Sequence, residues 1–189
     1  ASGQAELVST DPYTIRLKRE IIRSIPSRTS ISHAGETLLL HICCGPCATY
    51  TSPHLREQGW DVTGFWYNPN IEPGDEYQKR QQSLVKFAKI ISLPMVWELS
   101  SDSGAFREAI GDNVLFGERC AICYRVRLRR AALVAAERGI GTISSSLLVS
   151  PYQNLELVHS IGMEEAQACG LQFYFENMRS GYPTRPRLS

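Results

Sequence analysis

The chain has almost no net charge: twenty lysines and arginines stand against nineteen aspartates and glutamates in 189 residues, a formal +1. No global field draws nucleic acid or an anionic membrane, so any polyanion site must be local. Long apolar runs are also missing, and none approaches the roughly 20 residues needed to span a bilayer, which predicts no membrane partner. The first thirty residues hold no compact apolar stretch followed by a small-residue cleavage site, so no secretory signal is read there. Internal repeats and low-complexity segments are absent, which sets aside solenoids and repeat arrays. Nor is there the pattern of a disulfide framework. Of six cysteines, Cys43, Cys44 and Cys47 fall within five residues, Cys120 and Cys123 form a C-x-x-C, and only Cys169 stands apart. Secreted disulfide scaffolds are usually shorter and spread their cysteines, and a chain of this length buries about 70% of its unfolded surface without staples. The expected setting is a reducing cytoplasm, with unpaired thiols serving metal or redox chemistry.

What is present suits one ordinary globular domain, with 43% hydrophobic and 21% charged residues. Residues 1–36 read as an N-terminal arm and linker, with Asp11-Pro12 opening a short basic helix and residues 26–30 rich in turn formers. Residues 37–189 read as an α/β catalytic domain. Thr37 to Ile42 is a short apolar run suited to a strand buried on both faces. A helix is expected over Ala48 to Gln58, a strand over Asp61 to Tyr67, and a helix over Glu76 to Ile91, where Leu84, Phe87, Ala88 and Ile91 keep helical spacing. Met95 to Leu99 is a third strand, and a short helix near Phe106 leads to a long one over Glu118 to Arg138. Ile143 to Val149, Asn154 to Ala168 and Leu171 to Phe175 complete the alternation as strand, helix and strand. Alternating strands and helices predict a doubly wound, mainly parallel sheet with ligands beyond the carboxyl ends of the strands. The cysteine loop after the first strand occupies such a place, as do Asn68-Pro69-Asn70 and Ser150-Pro151-Tyr152.

Cys120 and Cys123, three apart on a helix, present two thiolates to one centre, a spacing shared by zinc sites and thioredoxin-like redox pairs. The adjacent Cys43 and Cys44 fit one tetrahedral ion poorly and fit different irons of a cluster more easily. With Cys120 and Cys123 they supply the four thiolates that a 4Fe-4S cluster usually takes, and Cys47 is a fifth, available to a second metal.

The motifs His41-Ile42-Cys43-Cys44-Gly45-Pro46-Cys47, Tyr67-Asn68-Pro69-Asn70-Ile71, Glu118-Arg119-Cys120-Ala121-Ile122-Cys123-Tyr124-Arg125-Val126-Arg127-Leu128 and Leu147-Leu148-Val149-Ser150-Pro151-Tyr152 resemble those of the QueH-type epoxyqueuosine reductases, in order, over roughly Leu38 to Gly181. The resemblance implies a cytoplasmic oxidoreductase with a fold similar to the ATP-pyrophosphatase (HUP-like) tRNA-modifying enzymes. It implies a 4Fe-4S cluster on Cys43, Cys44, Cys120 and Cys123, beside a mononuclear iron held by Cys47 and, as a further candidate, Asp102. The implied reaction is the last step of queuosine synthesis, removal of the epoxide oxygen of epoxyqueuosine in tRNA, fed by an electron donor the sequence does not name. His41 is a candidate proton donor. Asn68, Asn70 and Tyr152 are candidate substrate contacts, and Arg125, Arg129 and Arg179 candidate phosphate contacts, with Arg185 and Arg187 adding local positive charge. The family pattern also leads to expect an aspartate where Asn177 stands, and a further segment with another cysteine pair beyond Tyr182, whereas the sequence given ends at Ser189.

Three other classes share parts of this pattern. A nucleotide-activating tRNA thiolase would carry a serine- and glycine-rich pyrophosphate loop where the cysteine loop stands. A zinc-bound tRNA-binding module would be colourless. A thiol-disulfide oxidoreductase working through Cys120 and Cys123 would be active without metal.

Overall fold

The computed structural model describes residues 33–71, 74–98, 103–111 and 116–182. The expected N-terminal helix, Asp102, Arg185 and Arg187 lie outside the described residues.

The elements run β1 (Thr37–His41), α1 (Gly45–Glu57), β2 (Asp61–Trp66), α2 (Asp75–Ile90), β3 (Met95–Trp97), α3 (Ser103–Ile110), α4 (Phe116–Glu137), β4 (Thr142–Ser145), a 3-10 turn (Ser146–Val149), α5 (Leu155–Ala168), β5 (Gln172–Phe173) and a last 3-10 turn (Arg179–Gly181). The five strands form one parallel sheet in the order β3-β2-β1-β4-β5. The α/β, doubly wound expectation therefore holds. The chain steps outward from β1 through β2 to β3, then returns to lay β4 on the other side of β1. The crevice at that reversal, above the carboxyl ends of β1 and β4, is where such sheets bind ligands.

Side-chain alternation along β1 divides the interior in two. Leu38, Leu40 and Ile42 pack with Ala48 and Leu55 of α1 and Leu84 and Phe87 of α2. Leu39 points the other way, into Tyr124, Leu128 and Ala131 of α4 and Val158 and Ile161 of α5. All three leucines are fully buried, as a central strand covered on both faces requires.

Among the expected boundaries that change are those of β4, α1 and β5. The fourth strand stops at Ser145, and the remainder of the expected stretch to Val149 winds into the 3-10 turn, because the Ser145 hydroxyl caps it by accepting from the Leu147 N–H at 3.2 Å. A short buried apolar run carries no period that separates the two conformations. The first helix begins at Gly45 rather than Ala48, with Pro46 in its first turn, where a missing N–H does no harm. The fifth strand is two residues rather than five.

Candidate metal centre at the sheet switch point

β1 delivers the cysteine loop directly into the crevice. Cys44 is the N-cap of α1 and Cys47 lies in its first turn, so the helix's unpaired N–H groups and dipole face the thiols and favour their anionic form. The Sγ atoms of Cys43, Cys44 and Cys47 all lie within 4.8 Å of one another, and those of Cys43 and Cys44 are 3.9 Å apart. The 3-10 turn that follows β4 supplies the brace on the other side. Cys43 N–H donates to Ser146 Oγ at 3.0 Å, and that hydroxyl donates onward to Cys43 Sγ at 3.4 Å.

Within the triad one thiol is acidified at the expense of the other two. Hydrogen bonds from Cys44 and Cys47, with help from Ser146, hold Cys43 well below the ordinary thiol value. Cys44 is pushed up to about 12, first through its bond to Cys43, and Cys47 is pushed up for the same reason, with burial adding to both. The donor set fits a soft, thiophilic metal or cluster.

His41, fully buried at the end of β1, lies beneath the loop. The Tyr67 carbonyl, 3.2 Å away, can only accept, so Nε2 carries the ring proton and Nδ1 accepts from Ser145 Oγ at 2.9 Å. Burial, and then the nearby Arg127, lower its pKa to about 4. His41 thus ties β1 to β4 as a neutral imidazole, and delivering a proton into the crevice would require one of these bonds to break.

Cys120 and Cys123, on α4, are not within the triad's 4.8 Å circle. They line a separate recess of about 210 Å³ with Asn70, Phe106 and Arg119. Burial raises the Cys123 pKa, while Arg127 opposes this and donates to its sulfur at 3.1 Å. Cys44 and Cys47 pack in the core on the α1–α2 side of the sheet and Cys120 in the core on the α4 side, while Cys43 touches both. The structure groups Cys47 with Cys43 and Cys44, where the sequence reading grouped Cys120 and Cys123 with them.

The other candidates fall into two sets. Asn68 is 2% exposed and donates through Nδ2 to the Ile42 carbonyl at 2.9 Å, which holds the start of the cysteine loop. Among the described residues, neither its Oδ1 nor that of Asn70 has a hydrogen-bond partner, although both are buried. Tyr152, 77% exposed, meets Tyr182 edge to face at 5.8 Å and borders the recess of about 410 Å³ that opens onto the triad. Arg179 donates to the backbone carbonyls of Ser150, at 3.4 Å, and Gln153, at 2.6 Å, and so shapes the loop carrying Tyr152. Arg125 instead pairs with Glu164 and Glu165, and Arg129 with Glu165, clasping α4 to α5. Arg130 pairs with Glu98.

Sequence reasoning missed the hydroxyl brace, Glu165 and the rim on α2. The run Ser144-Ser145-Ser146 inside an apolar strand was the available signal for the first, because buried hydroxyls demand partners. Glu165, only 3% exposed, keeps helical register with Ile161 and Val158 on the inward face of α5. Glu76, Lys79, Arg80 and Ser83 form the α2 side of the recess over the triad, a placement no local pattern reveals.

A doubly wound α/β domain with three thiols gathered at its switch point is of the class that can hold a soft metal or cluster there. A family model described as "Epoxyqueuosine reductase QueH" matches residues 38–189. The QueH epoxyqueuosine reductase of Thermotoga maritima is 37% identical over 160 residues, covering 81% of this chain and 81% of that protein. That of Dehalococcoides mccartyi is 34% identical over 145 residues, covering 77% and 79%. The chain belongs to the QueH epoxyqueuosine reductase family. Among solved structures, the U34-tRNA thiolase NcsA from Methanococcus maripaludis with its 4Fe-4S cluster aligns over 70% of this chain and 44% of its own, at 14% identity and a TM-score of 0.47.

Proposed function

We propose that this chain is an epoxyqueuosine reductase acting on tRNA. The observation that carries the reading is the thiol triad at the sheet switch point, in a chain whose family model spans that site and the C-x-x-C helix. The reaction breaks both C–O bonds of the epoxide, forms a carbon–carbon double bond, and takes up two electrons and two protons to release water. A 4Fe-4S cluster with an adjacent iron supplies single electrons and Lewis-acid binding of the departing oxygen. Cys43, Cys44, Cys120 and Cys123 are the proposed cluster ligands, with Cys47 and Asp102 toward the second iron.

The chain's other residues position the substrate. The orphaned Oδ1 of Asn70, in the recess beside Cys120 and Cys123, suits a hydroxyl donor such as those of the cyclopentane diol, and a buried acceptor without a partner is costly until such a donor arrives. Tyr152 offers an exposed ring at the mouth of the triad recess for stacking on an unpaired base. Lys79 stands on that same rim and suits the phosphate backbone, while Arg80 beside it is paired with Glu76. Arg125 and Arg129 are already matched by glutamates, and Arg179 acts through the Tyr152 loop. His41 braces the floor.

Anaerobic turnover of epoxyqueuosine-containing tRNA with a chemical reductant, followed by nucleoside mass spectrometry, tests the reading. Loss of one oxygen mass is expected; protein that carries iron and sulfide yet leaves the nucleoside unchanged would sink it. A colourless zinc protein would sink the cofactor assignment.

A further inference from the structure

Arg127 is one of five arginines on α4, and it alone among them is buried, at 4% exposure. It follows Cys123 by one helical turn, on the same face. Its Nε donates to the Cys123 carbonyl at 3.0 Å and its Nη2 to the Cys123 sulfur at 3.1 Å, while the guanidinium carbon lies 5.7 Å from the centre of the Tyr124 ring. Arg125, Arg129 and Arg130 each hold at least one carboxylate, but among the described residues no carboxylate lies within ion-pair distance of Arg127. A permanently charged group buried without a counter-ion is strongly disfavoured, and a leucine at this position would pack against the same core. A thiolate-ligated iron-sulfur centre is anionic and would supply the counter-charge that no described carboxylate does.

We infer that Arg127 is the counter-charge of the metal–thiolate centre, a positioning residue whose buried guanidinium sets how readily that centre accepts an electron. The inference rests on the proposed reading that Cys123 ligates the centre. A cation and N–H donor at a ligating sulfur stabilise the reduced, more negative state, and so raise the reduction potential. Arg127→Lys keeps the charge and loses the fork; Arg127→Gln keeps a donor and loses the charge; Arg127→Met loses both.

The test is a redox titration of the anaerobically reconstituted proteins followed by electron paramagnetic resonance, together with thermal melts of the metal-free chains. The metal-free Arg127→Met and Arg127→Gln proteins are expected to fold and to melt no lower than the parent, because without the centre the burial cost of the uncompensated charge outweighs its bonds to Cys123. When loaded, both are expected to shift the reduction equilibrium at least tenfold against the reduced state, which is 59 mV for a one-electron couple, with Arg127→Lys closer to the parent. Folded variants that no longer retain iron would also support the role. Loaded variants with an unchanged or higher potential, or metal-free variants that fail to fold, would overturn it. Parent protein that takes up no iron and sulfide would overturn the cofactor reading instead, which keeps the two failures distinct.

Discussion

A thiol binds metal only after losing its proton, and the three thiols at the switch point share that burden unequally. Cys43 is already held toward thiolate by its neighbours, whereas Cys44 and Cys47 are held toward thiol by the same hydrogen bonds. A metal entering the triad must therefore displace two protons that the metal-free protein retains. Cys47 is 6% exposed inside the first turn of α1, so its sulfur has little freedom to be replaced by a neighbour or by water. Cys47→Ala is expected to cut iron retention against a chelator by tenfold or more, while Cys169→Ala, at the C-cap of α5, leaves it unchanged. Iron and sulfide assays on anaerobically purified protein check this, and equal retention in the two variants would remove Cys47 from the centre. The types of these residues and the closeness of Cys43, Cys44 and Cys47 along the chain were legible in the sequence; that one helical turn brings the three sulfurs within 4.8 Å of one another was not.

At the scale of elements, the centre depends on how closely α1 approaches α2. A Cβ on Gly45 would lie 2.7 Å from the Ser83 carbonyl carbon and 2.9 Å from the Leu84 nitrogen, both backbone atoms that cannot rotate away. Gly45 is there for that contact, since its own backbone is not in the left-handed region. Gly45→Ala is expected to destabilise the chain by about 1–3 kcal/mol, read by thermal or chemical melts, and to weaken metal retention by moving Cys44 and Cys47 off the helix N-terminus. Retention intact in a destabilised variant would show that the triad tolerates such movement. The second element-level contact is the clasp of Arg125 and Arg129 on buried Glu165. Glu165→Ala leaves two arginines without their buried partner, and a loss of about 2 kcal/mol is expected, below the 3–5 typical of fully buried pairs because both arginines are well exposed. Unchanged stability would free these arginines for tRNA. The helices themselves were legible from apolar spacing, and their ends moved by a few residues where caps took over. The change from strand to 3-10 turn after Ser145 was not legible, because it hangs on one hydroxyl rather than on a period.

Across the whole molecule, the C-terminal segment is fastened back onto α1 through a polar cluster far from the thiols. Glu176 accepts from His54 at 2.7 Å and from Gln58 at 2.9 Å, and Tyr174 donates to Gln58 at 2.9 Å. The bond from His54, ahead of that from Gln58, lowers the Glu176 pKa from 4.5 to about 2. A carboxyl depressed in the folded state contributes stability that is present above its unfolded pKa and fades as pH falls through its folded one. The expected window is therefore from 4.5 down to about 2. Glu176→Gln is expected to lose about 1 kcal/mol at neutral pH, allowing for partial solvent screening, and to show a flatter stability profile across that window. A variant as acid-sensitive as the parent would show that other carboxyls govern the response.

The linear sequence by itself determined the alternation of strands and helices, the parallel sheet that follows, the supply of thiols and the motifs shared with the QueH family, because each depends on residue type and short spacing. Tertiary structure alone decided that the three loop sulfurs converge to within 4.8 Å, that Ser146, 103 positions further along the chain, braces Cys43, and that of five arginines on one helix three meet carboxylates while Arg127 turns inward to sulfur. Those outcomes rest on contacts between elements distant in the chain, where a helix's rotation and the packing of its neighbour decide which side of a residue is buried. No local period carries that information.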